Sequence, residues 1–347
     1  MTSARVSSVR GAPVRVLRLE RVRGRLWAQD PAVAASKALR FAPGDLTGDG
    51  LGMDRARYDR LSRTVDEVYH CGASMNMAAP YRHLASVNVG ATARVVEFCR
   101  RGRVKRLHHL STLGVFLAAR ESGRPEVDER TPPSAQTCGR IGYPRSKFEA
   151  ETLVAGAAAQ GLPVTVYRPG LVLADSRSGV SPADDFVARL HAAAVLTGCH
   201  PLSLSRIPVV PVDYTAEMIA ELSPRPAPTA GAYHVLLPEA RPAVELFDQA
   251  KDYGYPLVEV PPDTWRAELK ARGSSRTALA MRTLAIAEYI LGLSKHRALP
   301  DHRCEAVTDV LRRLGRHERL GSGFFTPMFR SFIDRNVLPP LPPLPLS

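Results

Sequence analysis

From about residue 38 the chain alternates short apolar segments with stretches long enough to hold a helix, and this rhythm restricts it to a parallel sheet with helices on its faces. Ala38 to Ala42 reads as a strand ending at Pro43-Gly44-Asp45-Leu46, and Asp66 to Cys71 as a second ending at Gly72-Ala73. A helix is predicted over residues 80–101, where Leu84, Val87, Ala91 and Val95 recur at helical spacing. Arg106 to Ser111 reads as a third strand, Ser146 to Gln160 as a helix and Pro163 to Arg168 as a fourth strand. The expected class is α/β, a doubly wound Rossmann-like parallel sheet whose crossovers each carry a helix.

After Gly170 the regularity falls off. Residues 175–207 read as a substrate loop enclosing a helix from Asp184 to Leu196, where Asp184 and Asp185 serve as N-terminal cap and dipole partner. Pro211-Val212-Asp213-Tyr214 opens another helix with Asp213 as its expected N-cap, and Ala232 to Leu237 returns as a strand. Residues 241–337 are mostly helical, with a buried helix expected between Leu279 and Leu293. The expected division is an atypical segment 1–37, a core 38–174, a mostly helical substrate region 175–337 that lends the core a strand near 232–237, and a Pro-rich extended tail 338–347.

Composition narrows the function classes. The chain has 347 residues, 45% of them hydrophobic, enough to bury a substantial core. No apolar run approaches the roughly 20 residues of a membrane span, and Met1 to Arg10 lacks the apolar stretch of a secretory signal. Cys71, Cys99, Cys138, Cys199 and Cys304 are scattered without CxxC spacing, so free thiols in a reducing cytoplasm are expected. The formal charge of +13 comes mainly from Arg, as in Arg100, Arg101, Arg103, Lys105 and Arg106. No nucleic-acid-binding pattern accompanies it, which leaves a general preference for Arg ahead of an acidic or phosphate-bearing partner. His70, His108 and His109 do not make a metal site: His108 and His109 are adjacent on a strand and face opposite sides.

The chemistry-bearing residues fall at the carboxyl ends of these strands, where open α/β sheets bind ligands. Ser111-Thr112 ends the third strand and brings a hydroxyl to the crevice. Tyr143 and Lys147 form a YxxxK element, four apart and on one helix face, where an ammonium can lower the pKa of a phenol and make it a usable proton donor. Asn88 lies on the intervening helix, where its amide can bond backbone and help position the lysine. Arg168-Pro169-Gly170 closes the set downstream.

Together with Val68-Tyr69-His70-Cys71-Gly72-Ala73, Asn88-Val89-Gly90-Ala91-Thr92 and His109-Leu110-Ser111-Thr112, these segments resemble the extended short-chain dehydrogenase/reductase superfamily. Within it they are most similar to the thioester reductase domains of nonribosomal peptide synthetases and carboxylic acid reductases. Asp175-Ser176, Gly179, Asp184-Asp185-Phe186 and Pro211-Val212-Asp213-Tyr214 favour that subgroup over nucleotide-sugar epimerases and dehydratases. The resemblance implies a triad of Thr112, Tyr143 and Lys147. It implies NADPH contacts at Asp45 and Leu46 (adenine), Gly72 and Ala73 (dinucleotide backbone), and Pro169 and Gly170 (nicotinamide), with Lys147 on the ribose and Asn88 in support. It further implies reduction of an acyl thioester, carried on the phosphopantetheine arm of an acidic carrier protein, to an aldehyde or alcohol. The region 175–337 would then receive the substrate and its carrier.

One element of that pattern is missing. Such reductases run the first strand into a GxxGxxG turn that cradles the pyrophosphate, whereas residues 1–45 hold only Gly11, Gly24 and Gly44, none at that spacing. Val14 to Leu19 reads as a strand, or Val16 to Trp27 as a helix, the latter being preferred. Either way the expected sheet is N-terminally incomplete and presents an edge where its centre should be. Three readings follow: a truncated form of an active reductase, a non-catalytic module that binds a carrier protein, or a cofactor site rebuilt in another way.

Overall fold

The computed structural model describes residues 36, 38–77, 79–182, 185–225, 232–272, 286–293, 297–315, 320 and 322–342. Four parallel strands form the central sheet: β1 (Glu67–His70), β2 (Arg106–Leu110), β3 (Val164–Pro169) and, later in the chain, β6 (Ala232–Val235). They lie in the order β1-β2-β3-β6, with Tyr69 opposite His108, His109 opposite Val166 and Tyr167 opposite Tyr233. The strands expected at 66–71, 106–111, 163–168 and 232–237 are therefore all present. Ala38 to Ala42 is not: these residues form no ladder, and Leu39 is 42% exposed. A strand needs a neighbour, and among the described residues the sheet ends at β1, an edge on which Tyr69 stands 46% exposed.

Helix α1 (Arg55–Thr64), capped by the Asp54 carboxylate on the Arg57 amide, leads into β1. The helix predicted at 80–101 forms in three pieces, α2 (Tyr81–Leu84), a π-helical turn (Ala85–Gly90) and α3 (Ala91–Arg100). Leu84, Ala91 and Val95 are buried as predicted, but the wider π turn rotates the stripe so that Asn88, rather than Val87, points inward. Helix α4 (Gly142–Ala159) begins early enough to carry Tyr143. Leu107, Val164 and Val166 pack with Val95, Val96, Cys99 and Val154 beneath α3 and α4.

The basic run after α3 is paired within the chain, with Lys105 buried and Arg101 and Arg103 at the surface. Lys105 is fully buried and its ammonium donates to the carbonyls of Ser62, Arg101 and Arg103 at 2.7, 2.8 and 2.6 Å, closing the carboxyl ends of α1 and α3. Arg101 pairs with Asp59 at 3.0 Å, Arg103 with Asp66 at 2.7 Å, and Arg106 donates to the Arg225 carbonyl. This stretch of charge thus serves the sheet edge.

Beyond β3 the chain turns at Gly170 into β4 (Leu171–Leu173), which pairs in parallel with β5 (Val209–Pro211). Between them α5 (Phe186–Thr197) is capped by the Asp185 carboxylate on the Ala188 amide at 2.6 Å; Asp184 lies outside the described residues. Helix α6 (Val212–Leu222) has Pro211 at its N-cap, which corrects the expectation for Asp213. Asp213 sits inside the first turn and instead accepts from the Ser176 amide and hydroxyl at 3.0 and 2.5 Å, tying the 175–181 loop to α6. The final helix α7 (Ser322–Asp334) packs backbone to backbone against this loop: a Cβ at Gly179 would lie 2.2 Å from the Pro327 carbonyl carbon. Ile286 to Leu291 is buried as expected, while 279–285 and residues 1–35, including both readings of Val14 to Trp27, lie outside the described residues. The tail folds back at Pro339, whose carbonyl accepts from the Tyr255 hydroxyl at 2.6 Å.

Candidate active site

The sheet's carboxyl edge gathers most of the residues expected to act. Helix α4 enters it over a close backbone approach. A Cβ at Gly142 would stand 2.6 Å from the Ala79 carbonyl oxygen, so glycine lets the helix start rest on the 79–81 segment. One residue later Tyr143 is 7% exposed, and a turn further Lys147 is 3% exposed, its ammonium donating to the Leu110 carbonyl at 2.7 Å. That bond ties the lysine to the end of β2, immediately before Ser111-Thr112.

Thr112 caps the 3-10 turn Leu113–Phe116, its hydroxyl oxygen accepting from the Gly114 amide at 3.0 Å. The acceptor side of that hydroxyl is engaged in its own turn, and its proton remains to be donated. The neighbouring Ser111 hydroxyl is buried and has no hydrogen-bond partner among the described residues.

Asn88 reaches this edge from the π turn. Its side-chain oxygen accepts from the Ser74 amide at 2.7 Å, and its amide nitrogen donates to the Ser74 carbonyl at 3.0 Å and the Ser146 hydroxyl at 2.9 Å. Ser146 in turn donates to the Tyr143 carbonyl at 2.8 Å. Asn88 therefore pins the chain leaving β1 to the helix of the YxxxK element; it acts on Ser146 and not on Lys147 directly, a refinement of the expectation.

The residues expected on the dinucleotide side also adjoin one another. Gly72 packs against Leu46, whose Cδ1 would lie 2.4 Å from a Cβ at position 72. Asp45 closes an Asx turn, accepting from the Thr47 amide and hydroxyl at 2.9 and 2.6 Å. Ala73 follows Gly72 just ahead of the Asn88-bound Ser74. Gly170, at the far side of the cleft after Pro169, donates to the Val235 carbonyl at 3.0 Å, and any Cβ there would meet the Pro208 oxygen at 2.4 Å. One sheet edge thus carries a buried cation, a phenol and two hydroxyls. Among the described residues there is no Gly-rich strand-to-helix turn.

The electrostatics differ from the sequence expectation. Burial pushes the Tyr143 phenol up to about 12, and Lys147 does not offset it. Burial lowers Lys147 itself to about 8, against the opposing pull of the Glu151 and Cys71 side chains. Burial is the cause that acts on the phenol, because creating phenolate in a desolvated pocket is costly. Tyr143 is consequently a protonated donor throughout the neutral range, and Lys147 holds its charge below about pH 8.

His109 and His70 lie behind Lys147, their rings 5.4 Å apart, and His70 meets the Thr92 hydroxyl at 3.1 Å. Burial, then the Lys147 charge, holds His70 down to about 4, and the same causes hold His109 neutral. His108 faces the opposite side, stacked on Tyr69 at 4.3 Å. No three His, Cys, Asp or Glu side chains among the described residues are grouped to hold a metal ion.

The motif reading passes over Glu151, although its place four residues after Lys147 on one helix is visible in the sequence. It forms a buried ion pair with Arg168 at 2.9 Å. Arg168 was legible only as part of the Arg-Pro-Gly segment.

A parallel sheet with Tyr, Lys and Thr at its carboxyl edge, and Asn bracing the helix from behind, is the arrangement of an extended short-chain dehydrogenase/reductase. The chain belongs to the NAD-binding family described as Male sterility protein, whose model matches residues 12–219. It is 35% identical over 251 residues to isonitrile lipopeptide synthase of Streptomyces coeruleorubidus, a match covering 72% of this chain and 16% of that protein. It is 30% identical over 232 residues to a linear gramicidin synthase of Brevibacillus parabrevis, covering 66% of this chain and 5% of the relative. The chain therefore spans only a small part of these relatives' length. Among solved structures, the terminal R domain from the myxalamid PKS-NRPS pathway superposes with a TM-score of 0.81 at 28% identity, covering 95% of this chain and 84% of that one. The reductase domain of a nonribosomal peptide synthetase from Mycobacterium tuberculosis shares the fold with a TM-score of 0.71 at 22% identity, covering 92% and 82%. No described helix is long and apolar enough to cross a membrane.

Proposed function

We propose that this chain reduces an acyl thioester, presented on the phosphopantetheine arm of a carrier protein, to an aldehyde or alcohol with NADPH, and that Thr112, Tyr143 and Lys147 carry the reaction. The observation that supports this most is the bond from Lys147 to the Leu110 carbonyl, which brings YxxxK onto the strand end that bears Thr112. Similarity to reductase domains of peptide synthetases supports the substrate class.

On this reading the bound cofactor supplies hydride to the thioester carbonyl carbon. As negative charge develops on the carbonyl oxygen, the Thr112 and Tyr143 hydroxyls donate hydrogen bonds to it and Tyr143 passes its proton, effects that each amount to about 10²–10³-fold or more in rate. The resulting hemithioacetal then breaks its C–S bond, releasing the phosphopantetheine thiol and the aldehyde. Lys147 has three N–H donors and spends one on Leu110, which leaves two for the nicotinamide ribose. Pro169 and Gly170 line the nicotinamide end, and Asp45, Leu46, Gly72 and Ala73 the adenine and backbone side, with Asn88 holding the two halves together. Residues 38–174 would serve the cofactor and 175–337 the acyl group and its carrier, in the cytoplasm.

Titration of the chain with NADPH, followed by cofactor fluorescence, tests the proposal. Binding is expected, and its absence at millimolar NADPH would sink the reading of a working reductase. Tyr143→Phe should then keep binding and lose turnover of an acyl-phosphopantetheine thioester; unchanged turnover removes Tyr143 from its role.

A further inference from the structure

Glu151 and Lys147 stand one helical turn apart on α4, and both are nearly sealed from solvent. The Glu151 carboxylate receives a fork from Arg168: Nε lies 3.2 and 3.1 Å from its two oxygens, and Nη2 lies 2.9 Å from Oε2. Arg168 is held in turn from three sides. Its guanidinium lies 5.1 Å over the Phe116 ring, and Nη1 approaches the Thr131 carbonyl at 3.5 Å and His234 Nε2 at 3.4 Å. His234 Nδ1 is 3.0 Å from the Arg303 carbonyl, which can only accept, so the ring proton belongs on Nδ1 and Nε2 is left to accept from Arg168.

These contacts have a consequence for the reaction edge. Phe116 closes the turn that starts at Thr112, Arg168 directly precedes Pro169-Gly170, and Glu151 belongs to the helix of Tyr143 and Lys147. One ion pair thus touches all three elements that converge on the site. A buried pair of this kind adds little net stability once desolvation is counted, so its structural value is registration. We propose that the Glu151–Arg168 pair is the positioning device for Lys147, seating α4 on β3 and holding a carboxylate one turn from the ammonium that points at the Leu110 carbonyl. The proposal builds on the reading of Lys147 as the reductase lysine.

The other groups around Lys147 do not duplicate this carboxylate. Tyr143 is on its own helix, His70 and Cys71 come from the β1 side and His109 from β2. Burial keeps the histidines unprotonated and the Tyr143 phenol protonated at neutral pH, while the Cys71 thiol, exposed on one side, is still held above its usual range. Glu151 is the carboxylate among the groups that act on Lys147, and its pull comes ahead of that of Cys71.

The test is an NMR titration of the lysine side chains, labelled with ¹³C at Cε, in the full chain without cofactor; a Lys147→Arg variant assigns the resonance. Wild type should titrate near 8. Glu151→Gln, which keeps the shape and removes the charge, should lower that midpoint by about one unit or more, a roughly tenfold change in the ammonium-to-amine ratio. If Glu151→Gln does not fold, the paired Glu151→Met/Arg168→Met variant is used, since apolar replacement of a whole buried ion pair is well tolerated. Its midpoint should fall too. A folded variant that lacks the carboxylate and still titrates like wild type overturns the proposal. The measurement needs neither NADPH nor turnover, so a failed reductase assay leaves its outcome intact.

Discussion

Replacing Lys147 with Met should make the protein more stable at neutral pH and change how its stability depends on pH. Lys147 is 3% exposed, and burial lowers its pKa from 10.5 to about 8. In the unfolded chain the same lysine keeps its proton up to the usual 10.5. Below pH 8 both states are charged, and the folded protein bears the full cost of burying the ammonium. Between pH 8 and 10.5 the unfolded state binds the extra proton, so stability rises with pH and the cost is relieved. A depression of about 2.5 units corresponds to about 3 kcal/mol, at about 1.4 kcal/mol per unit. Lys147→Met removes that cost and also loses the bond to Leu110, worth about 1–3 kcal/mol for a charged donor. The net gain at pH 7 is consequently smaller than 3 kcal/mol, whereas the difference in slope is unaffected by packing. Urea unfolding at pH 7.5, 8.5 and 9.5, followed through the buried Trp265, measures both quantities. Near pH 9 the wild type should gain about 1 kcal/mol per pH unit on the variant. Parallel stability curves would show that Lys147 carries no depressed pKa, and the account of a desolvated lysine would fail.

Asn88→Ala leaves the Ser74 amide and carbonyl and the Ser146 hydroxyl without their partner, and should cost about 2–3 kcal/mol, read as a fall in Tm by calorimetry. Gly170→Ala forces a Cβ against the Pro208 oxygen and should cost about 1–3 kcal/mol in urea unfolding, because backbone has to shift to admit it. Lys105→Met strips three carbonyls of their donor and should cost about 3 kcal/mol by the same measure. Arg103→Ala, which breaks an exposed pair with Asp66, should cost less than about 1 kcal/mol. If the two substitutions cost the same, the basic run does not serve the fold as described.

Much of this fold is legible along the chain because its signals are local. The strands at Glu67–His70, Arg106–Leu110 and Val164–Pro169 are short and end in polar or Gly residues, and the crossovers between them are long enough to hold helices. Asp185 as a helix cap is equally local. The errors occur where a partner distant in sequence decides. Ala38 to Ala42 has strand composition and no neighbouring strand among the described residues. Asp213 has the chemistry of a cap but bonds Ser176, which lies 37 residues away. Val87 fits the helical stripe until the π turn hands the buried position to Asn88.

By itself the sequence determined the residue types and their spacing: Tyr143 and Lys147 four apart, a hydroxyl pair at a strand end, and an Arg-Pro-Gly segment at the next. Spacing on one helix is a short-range geometric fact, and it needs no knowledge of the rest of the chain. Only the tertiary structure decided what those groups are electrically. Burial leaves Tyr143 a firmly protonated donor and Lys147 a weakened base, and Arg168 is seen gripping Glu151 across 17 residues of sequence. Desolvation depends on everything packed around a group, and that surrounding is assembled from segments whose proximity no local pattern records.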